Sequence, residues 1–426
     1  MRKVLVALVV VALLLVGCAQ QPAEHKPEVT QTPTEGKKEV VIGVIGPMSL
    51  PEGIAEKNAA QLAVEEINAQ GGILGLHVRL VVGDTKLDPN TAMTEFRRLA
   101  TVEKADMITG GFSSGVMNAM METMAETKTI FLADASSPAH PTKVAENYEK
   151  YKYWFRVSQN NGTTFAWDLA EMIDFLRSKG LDINKVYIIR DEHIWTDAVM
   201  EKLRPLLEER GVEIVGDVEV GRGYTDYEPL LLEAKDTADL IMPILAIAGT
   251  GDVLAKQWAE LQIPVLLAGH DLAAIDAGFY EKTEGKANYE IFLADGGVLV
   301  TAPPTDRAKQ FLEAYKAKYG HYPESHQAYG AYDAVYIYKL AVEEAAKAGE
   351  TNPFDPDVVV KYLEKFNPEN PARLTRVIAW HENHALAWGD EFVRNWISQW
   401  QDGKQYIIWP ENVANGELKL PPWIAQ

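Results

Sequence analysis

With 426 residues, of which 47% are hydrophobic and 9% aromatic, the chain exceeds the roughly 250 to 300 residues at which single cores stop growing, so it suits two domains. A formal net charge of -20 repels phosphate backbones and argues against nucleic acid as a partner. A single cysteine excludes an internal disulfide framework and leaves packing to hold the fold.

Met1, Arg2 and Lys3 form a short basic start, Val4 to Val16 is an unbroken apolar run, and Leu15-Val16-Gly17-Cys18 closes it with small residues. The run falls short of the ~20 apolar residues that span a bilayer. Residues 1–18 therefore read as a secretory signal ending in a lipobox, with Cys18 as the site of lipidation. Residues 19–38, with Pro22, Pro27 and Pro33 among polar residues, read as a disordered tether. A lipid, a leash and a globular body predict an extracytoplasmic protein held at the outer face of the cytoplasmic membrane.

From Val40 the pattern alternates short β-branched runs with helical stretches, the mark of parallel sheet wrapped by helices. Strands are predicted at Val40 to Ile45, Val78 to Val82, Met107 to Thr109 and Thr129 to Leu132. Helices are predicted at Ile54 to Ala69, from Pro89 to Val102, and from about Ser114 to Glu126. After Phe155-Arg156-Val157 a second series follows, with strands at Lys185 to Arg190, Val212 to Val218, Leu240 to Ile244 and Val265 to Ala268. Helices at Thr305 to Tyr319, Gln327 to Ala348 and Pro356 to Phe366 precede strand-like Val377 to Trp380, Phe392 to Gln399 and Gln405 to Ile408. The expected fold class is α/β, two doubly wound parallel-sheet lobes joined by a hinge of several crossings. Lobe one takes residues 39–158 plus about 292–372, and lobe two residues 159–291 plus about 373–426. Such a hinge permits closure around a ligand.

Polar turns at the carboxyl ends of strands are where open α/β sheets bind ligands. Gly110-Gly111-Phe112-Ser113-Ser114-Gly115 ends a strand and opens a helix, so free amides and a serine hydroxyl suit a carboxylate there. The serines could also merely cap the helix. The stretch matches GxSxG too, so an extracellular serine hydrolase using Ser113 is an alternative, though no upstream oxyanion loop accompanies it. Ala135-Ser136-Ser137-Pro138 is a second polar turn at the same edge. In the second series, Asp191-Glu192-His193-Ile194-Trp195 and Gly269-His270-Asp271 occupy equivalent positions, Trp195 offering an aromatic wall and Asp271 a carboxylate for an ammonium group. The glycines from Gly216 to Gly223 lack the Lys-Ser/Thr of a phosphate loop, and His381-Glu382-Asn383-His384 lacks HExxH spacing. No cofactor or metal is expected.

Val41-Ile42-Gly43, and the run Asn58 to Ile73 ending in Ile67-Asn68-Ala69-Gln70-Gly71-Gly72-Ile73, resemble the opening of the branched-chain amino acid binding proteins, periplasmic binding proteins of type I. Tyr224-Thr225-Asp226-Tyr227 and Tyr329-Gly330-Ala331-Tyr332-Asp333-Ala334 extend the resemblance toward Trp409. It implies a substrate-binding lipoprotein that hands a small molecule to an ABC permease, acts as a monomer and is not an enzyme. It implies a carboxylate site at Ser114, Ala135 and Ser136, an ammonium site at Asp271, and a cover at Trp195. A ligand-sensing receptor with the same pocket is a further alternative. An aromatic residue common in the family is missing near Leu245 and Ala246, so an amide, a urea-like solute or an aromatic acid stands beside leucine, isoleucine and valine as expected ligands.

Overall fold

The computed structural model describes residues 36–135, 137–157, 161–247 and 249–424. Cys18, most of the tether and Ser136 lie outside them. The first series reads β1 (Glu39–Gly46), α1 (Pro51–Ala69), β2 (His77–Asp84), α2 (Pro89–Thr101), β3 (Met107–Gly111), α3 (Ser114–Thr127), β4 (Ile130–Asp134), α4 (Ala139–Glu146), α5 (Tyr148–Tyr151) and β5 (Trp154–Arg156). Its strands form one sheet in the order β2-β1-β3-β4-β5, every pair parallel. β1 is buried at every position from Val40 to Gly46, as a central parallel strand covered on both faces must be. α2 starts where the sequence predicts: Asp88 accepts a hydrogen bond from the Thr91 amide at 2.7 Å and Pro89 fills the first turn. The turn after α1 requires glycine, because Gly72 has φ +80° and a Cβ there would lie 1.9 Å from the Leu76 carbonyl oxygen.

The second series reads α6 (Gly162–Ser178), β6 (Lys185–Asp191), α7 (Ile194–Glu209), β7 (Glu213–Val220), α8 (Glu228–Thr237), β8 (Leu240–Leu245), α9 (Gly251–Glu260), β9 (Leu266–Asp271), α10 (Phe279–Lys282) and β10 (Ile291–Ala294). The chain continues with α11 (Asp306–Tyr319), α12 (Gln327–Lys347), α13 (Pro356–Leu363), the short pair β11 (Ala372–Arg373) and β12 (Val377–Ile378), then β13 (Trp396–Gln401) and β14 (Lys404–Trp409). The second sheet runs β14-β13-β10-β9-β8-β6-β7. From β10 to β7 it is parallel, and β13 joins β10 antiparallel, as does β14 to β13. The two lobes of a doubly wound α/β protein are thus in place. Among the described residues no helix is long and apolar enough to cross a membrane.

Each sheet has its own core. The first core gathers residues from Val40 to Val157 and returns from Val298 to Val393. The second gathers Phe165 to Leu293 and takes up the chain again at Trp396 and Ile397. The second return therefore comes about twenty residues after the expected boundary near residue 372. Buried polar bonds explain the delay. Asp333 on α12 accepts from the Thr375 amide at 2.9 Å and the Thr375 hydroxyl at 2.7 Å, and pairs with Arg376 at 3.2 Å. Farther on, the Trp380 indole donates to the Arg156 carbonyl at 2.6 Å, and His384 stacks on Phe155 with ring centroids 3.7 Å apart. The chain crosses only after these contacts end, and Asn395 marks the spot: its amide oxygen accepts from Gly296 at 2.8 Å and its nitrogen donates to Asp168 on α6 at 2.9 Å. Two of the crossings are thereby tied to each other and to the second lobe.

Candidate functional site

A cavity of about 240 Å³ lies between the carboxyl edges of the two sheets. On the first-lobe side it is bounded by Leu50, Glu52, Phe112, Ser113, Ser114 and Gln327, and on the second-lobe side by Phe165, Asp191, Trp195, Arg222 and His270.

The first-lobe wall is built by backbone geometry. Gly110 and Gly111 take φ +106° and +144°, and a Cβ on them would meet the Ile45 carbonyl oxygen at 2.3 Å and the Asp134 carbonyl oxygen at 2.5 Å. Only glycine permits this, and it throws Phe112, itself at φ 99°, out over the sheet edge. Ser113 then stands at the N-cap of α3 with no side-chain capping bond, which leaves its hydroxyl and the first-turn amides free for an anion. Ser114 is 2% exposed. Its carbonyl faces Nε2 of His140 at 3.2 Å. Burial, then the Arg156 charge, push that imidazole down to about 3, so it is neutral and donates to the carbonyl. Across the cleft, a Cβ on Gly115 would sit 3.7 Å from Ile194 Cδ1, which puts the first turns of α3 and α7 face to face.

The second-lobe wall is acidic and aromatic. Asp191, fully buried at the end of β6, accepts from the Ala246 amide at 2.6 Å and the Ile247 amide at 3.1 Å through Oδ2. Oδ1 closes no hydrogen bond of good geometry among the described residues. Burial pushes this carboxyl up to about 6, against the pull of those amides, His270 and the Trp195 indole. Trp195 packs against His270 with ring centroids 5.6 Å apart, and Phe165 closes the corner at 4.9 Å from the same imidazole. Nδ1 of His270 is 3.2 Å from Asp295, and the other Asp295 oxygen is 3.3 Å from Nδ1 of His326. Burial works against a charged His270, yet Asp295, Asp271 and Asp191 outweigh it and raise its pKa. At the first-lobe side Glu52 is 5% exposed. Its pKa is raised by burial, while Arg222 from the other lobe pulls it back.

Of the residues singled out from sequence, the structure brings Ser114 and Trp195 to this cavity. Ala135 is fully buried and absent from the lining, and Ser136 lies outside the described residues. Asp271 also fails to line it. Successive side chains on a strand face opposite ways, so once His270 faces the cavity, Asp271 must turn to the far side of β9. There its Oδ1 accepts from the Ala273 amide at 2.9 Å, and a Cβ on Gly251 would come within 1.9 Å of it. Its neighbour is Glu290, whose pKa burial, then the Asp271 charge, raise well above normal. The carboxylate that lines the cavity on this wall is therefore Asp191 and not the Asp271 expected from sequence. Sequence reading passed over Asp191, Glu52, His270 and Gln327 as site residues. β9 is buried on both faces, so its hydropathy carries no alternation to say which side chain looks into the cleft.

A family model described as periplasmic binding protein matches residues 39–395. The Leu/Ile/Val-binding protein homolog 7 of Brucella melitensis is 27% identical, over 99% of this chain and all of its own length. Among solved structures, the branched-chain amino acid transporter substrate binding protein LivJ of Streptococcus pneumoniae, in complex with isoleucine, superposes with TM-score 0.71 at 23% identity, covering 86% of this chain and 98% of its own. The leucine binding protein LivK of Thermotoga maritima gives 0.69 at 22% identity, covering 86% and 97%. Two lobes, a cavity between their sheet edges and a family match across nearly the whole globular body lead to one statement: this chain belongs to the periplasmic binding protein family, extracytoplasmic solute-binding proteins that work with ABC permeases.

Proposed function

We propose that this protein captures an amino acid, or a closely related small polar organic solute, and delivers it to an ABC importer while anchored through lipid on Cys18. The observation that carries the reading is opposed chemistry in one cavity: the open first turn of α3 on one lobe and the buried Asp191 carboxylate, with the Trp195 indole beside it, on the other. A zwitterion fits that pair, its carboxylate on the Ser113 hydroxyl and the α3 amides and its ammonium on Asp191, with charge-assisted bonds at both ends. Trp195 and Phe165 cover the body of the ligand. The names of the relatives above are those of amino acid binding proteins, which agrees with this chemistry.

Ser113 does not act as a nucleophile in this reading, since the His140 ring is spent on the Ser114 carbonyl rather than on a serine hydroxyl. The test is calorimetry on protein stripped of ligand by mild denaturation and refolding, titrated with the common amino acids, and with Asp191→Asn in parallel. Binding of at least one amino acid, weakened tenfold or more by the substitution, supports the reading. Failure to bind any of them overturns it.

A further inference from the structure

The zwitterion clamp leaves two buried acceptors in the cavity wall unused. Glu52, at the start of α1, is 5% exposed, and Gln327, at the start of α12, is 1% exposed. Both line the cavity, and neither Glu52 Oε2 nor Gln327 Oε1 has a hydrogen-bond partner among the described residues. Closure over a leucine side chain would seal these oxygens from water and give them nothing in return, a cost that folded proteins rarely accept. The facing lobe brings Arg222 to the same space, close enough to Glu52 to draw on its charge.

Two acceptors on one wall and a guanidinium on the other are complementary to a group that both donates and accepts. A terminal carboxamide or ureido group meets that need: its N–H bonds reach Glu52 and Gln327, and its carbonyl accepts from Arg222. A second carboxylate would face Glu52, and a second ammonium would face Arg222. We infer that the ligand is an α-amino acid whose side chain ends in an amide or ureido group, rather than an aliphatic one. This rests on the amino acid reading above and narrows it.

The deciding experiment is calorimetry of the stripped full-length protein with glutamine, citrulline, leucine, glutamate and lysine, for the wild type and for Glu52→Leu and Gln327→Leu. The inference expects glutamine or citrulline to bind at least tenfold tighter than the other three, because sites built to bond a polar group reject analogues lacking it. Each variant should then shrink the gap to leucine to within about threefold by weakening the amide ligand. Leucine bound as tightly as glutamine and citrulline, or a preference for glutamate or lysine, overturns the inference and leaves the amino acid reading standing. So does a gap that survives both substitutions. Should either variant fail to fold, the ranking by the wild type decides alone. Binding of none of the five by the wild type overturns the inference, and the reading beneath it falls only if the remaining amino acids also fail.

Discussion

Asp295 and His326 stand 3.3 Å apart, carboxylate to ring nitrogen, both all but inaccessible to water. The relationship joins the two lobes. His326 precedes α12, which packs on the first core. His270, 3.2 Å from the same carboxylate, lies on β9 of the second sheet. Asp295 follows β10 in the crossing between them, so one carboxylate anchors the hinge to both lobes.

Replacing Asp295 with alanine removes the carboxylate that both His270 and His326 face across the lobes. Breaking a buried pair from one side costs about 3 kcal/mol or more. Scanning calorimetry should show a lowered Tm for Asp295→Ala, with Asp295→Asn intermediate because it keeps the shape and one acceptor.

Two buried imidazoles should each make the fold less stable in acid. Burial holds His140 down to about 3 and His326 down to about 4, against an ordinary imidazole value of 6.5. At these two rings the unfolded chain binds protons that the native state refuses, so their contribution to stability falls as pH drops below about 6.5, while carboxyls raised by burial, such as Asp191, act in the opposite direction. Each ring accounts for on the order of 3 kcal/mol between pH 6.5 and 4. Urea denaturation from about pH 6.5 to 4 should show His140→Gln, which keeps a donor for the Ser114 carbonyl, gaining stability relative to the wild type as pH falls.

Ligand affinity should carry its own pH signature. Asp191, held up to about 6 by burial, must be ionised to grip an ammonium. As pH falls through 6 the ligand has to displace a proton, so affinity weakens by about tenfold per pH unit below that point. Calorimetry from pH 8 to 5 checks this, with proton release on binding read from buffers of different ionisation enthalpy. Asp191→Asn should flatten the dependence.

Closure itself depends on the small size of residue 115. Its position 3.7 Å from Ile194 leaves space for a methyl group and little more. Gly115→Ala should bind nearly normally, while Gly115→Phe should prop the lobes apart and weaken binding at least tenfold with little change in Tm. Titrations on the two variants separate closure from folding.

Much of this architecture could be read from residues alone, and the unread parts share a cause. Helices such as α2 and α12 begin and end within a few residues of expectation, because Asp88-Pro89 is a local capping signal and the pattern after Gln327 is periodic. The polar turn at Ser113 and Ser114 was legible because glycines and serines after a strand have a backbone meaning. The late crossing at Asn395 was hidden, since it depends on the Asp333–Arg376 pair, whose members are 43 residues apart. That Asp191 and not Asp271 lines the cavity was hidden too. Strands buried on both faces erase the period of two, so the facing of His270 against Asp271 emerges only from packing.

If two lobes shut over one solute, a distance across the cleft reports it. Asn90 and Thr225 are exposed on the first and second lobes, and cysteines there, with Cys18 replaced by serine, can carry spin labels for pulsed dipolar spectroscopy. A saturating amino acid found by calorimetry should shorten and narrow the distance distribution by several ångströms relative to the stripped protein. An unchanged distribution while the ligand is demonstrably bound would contradict the account.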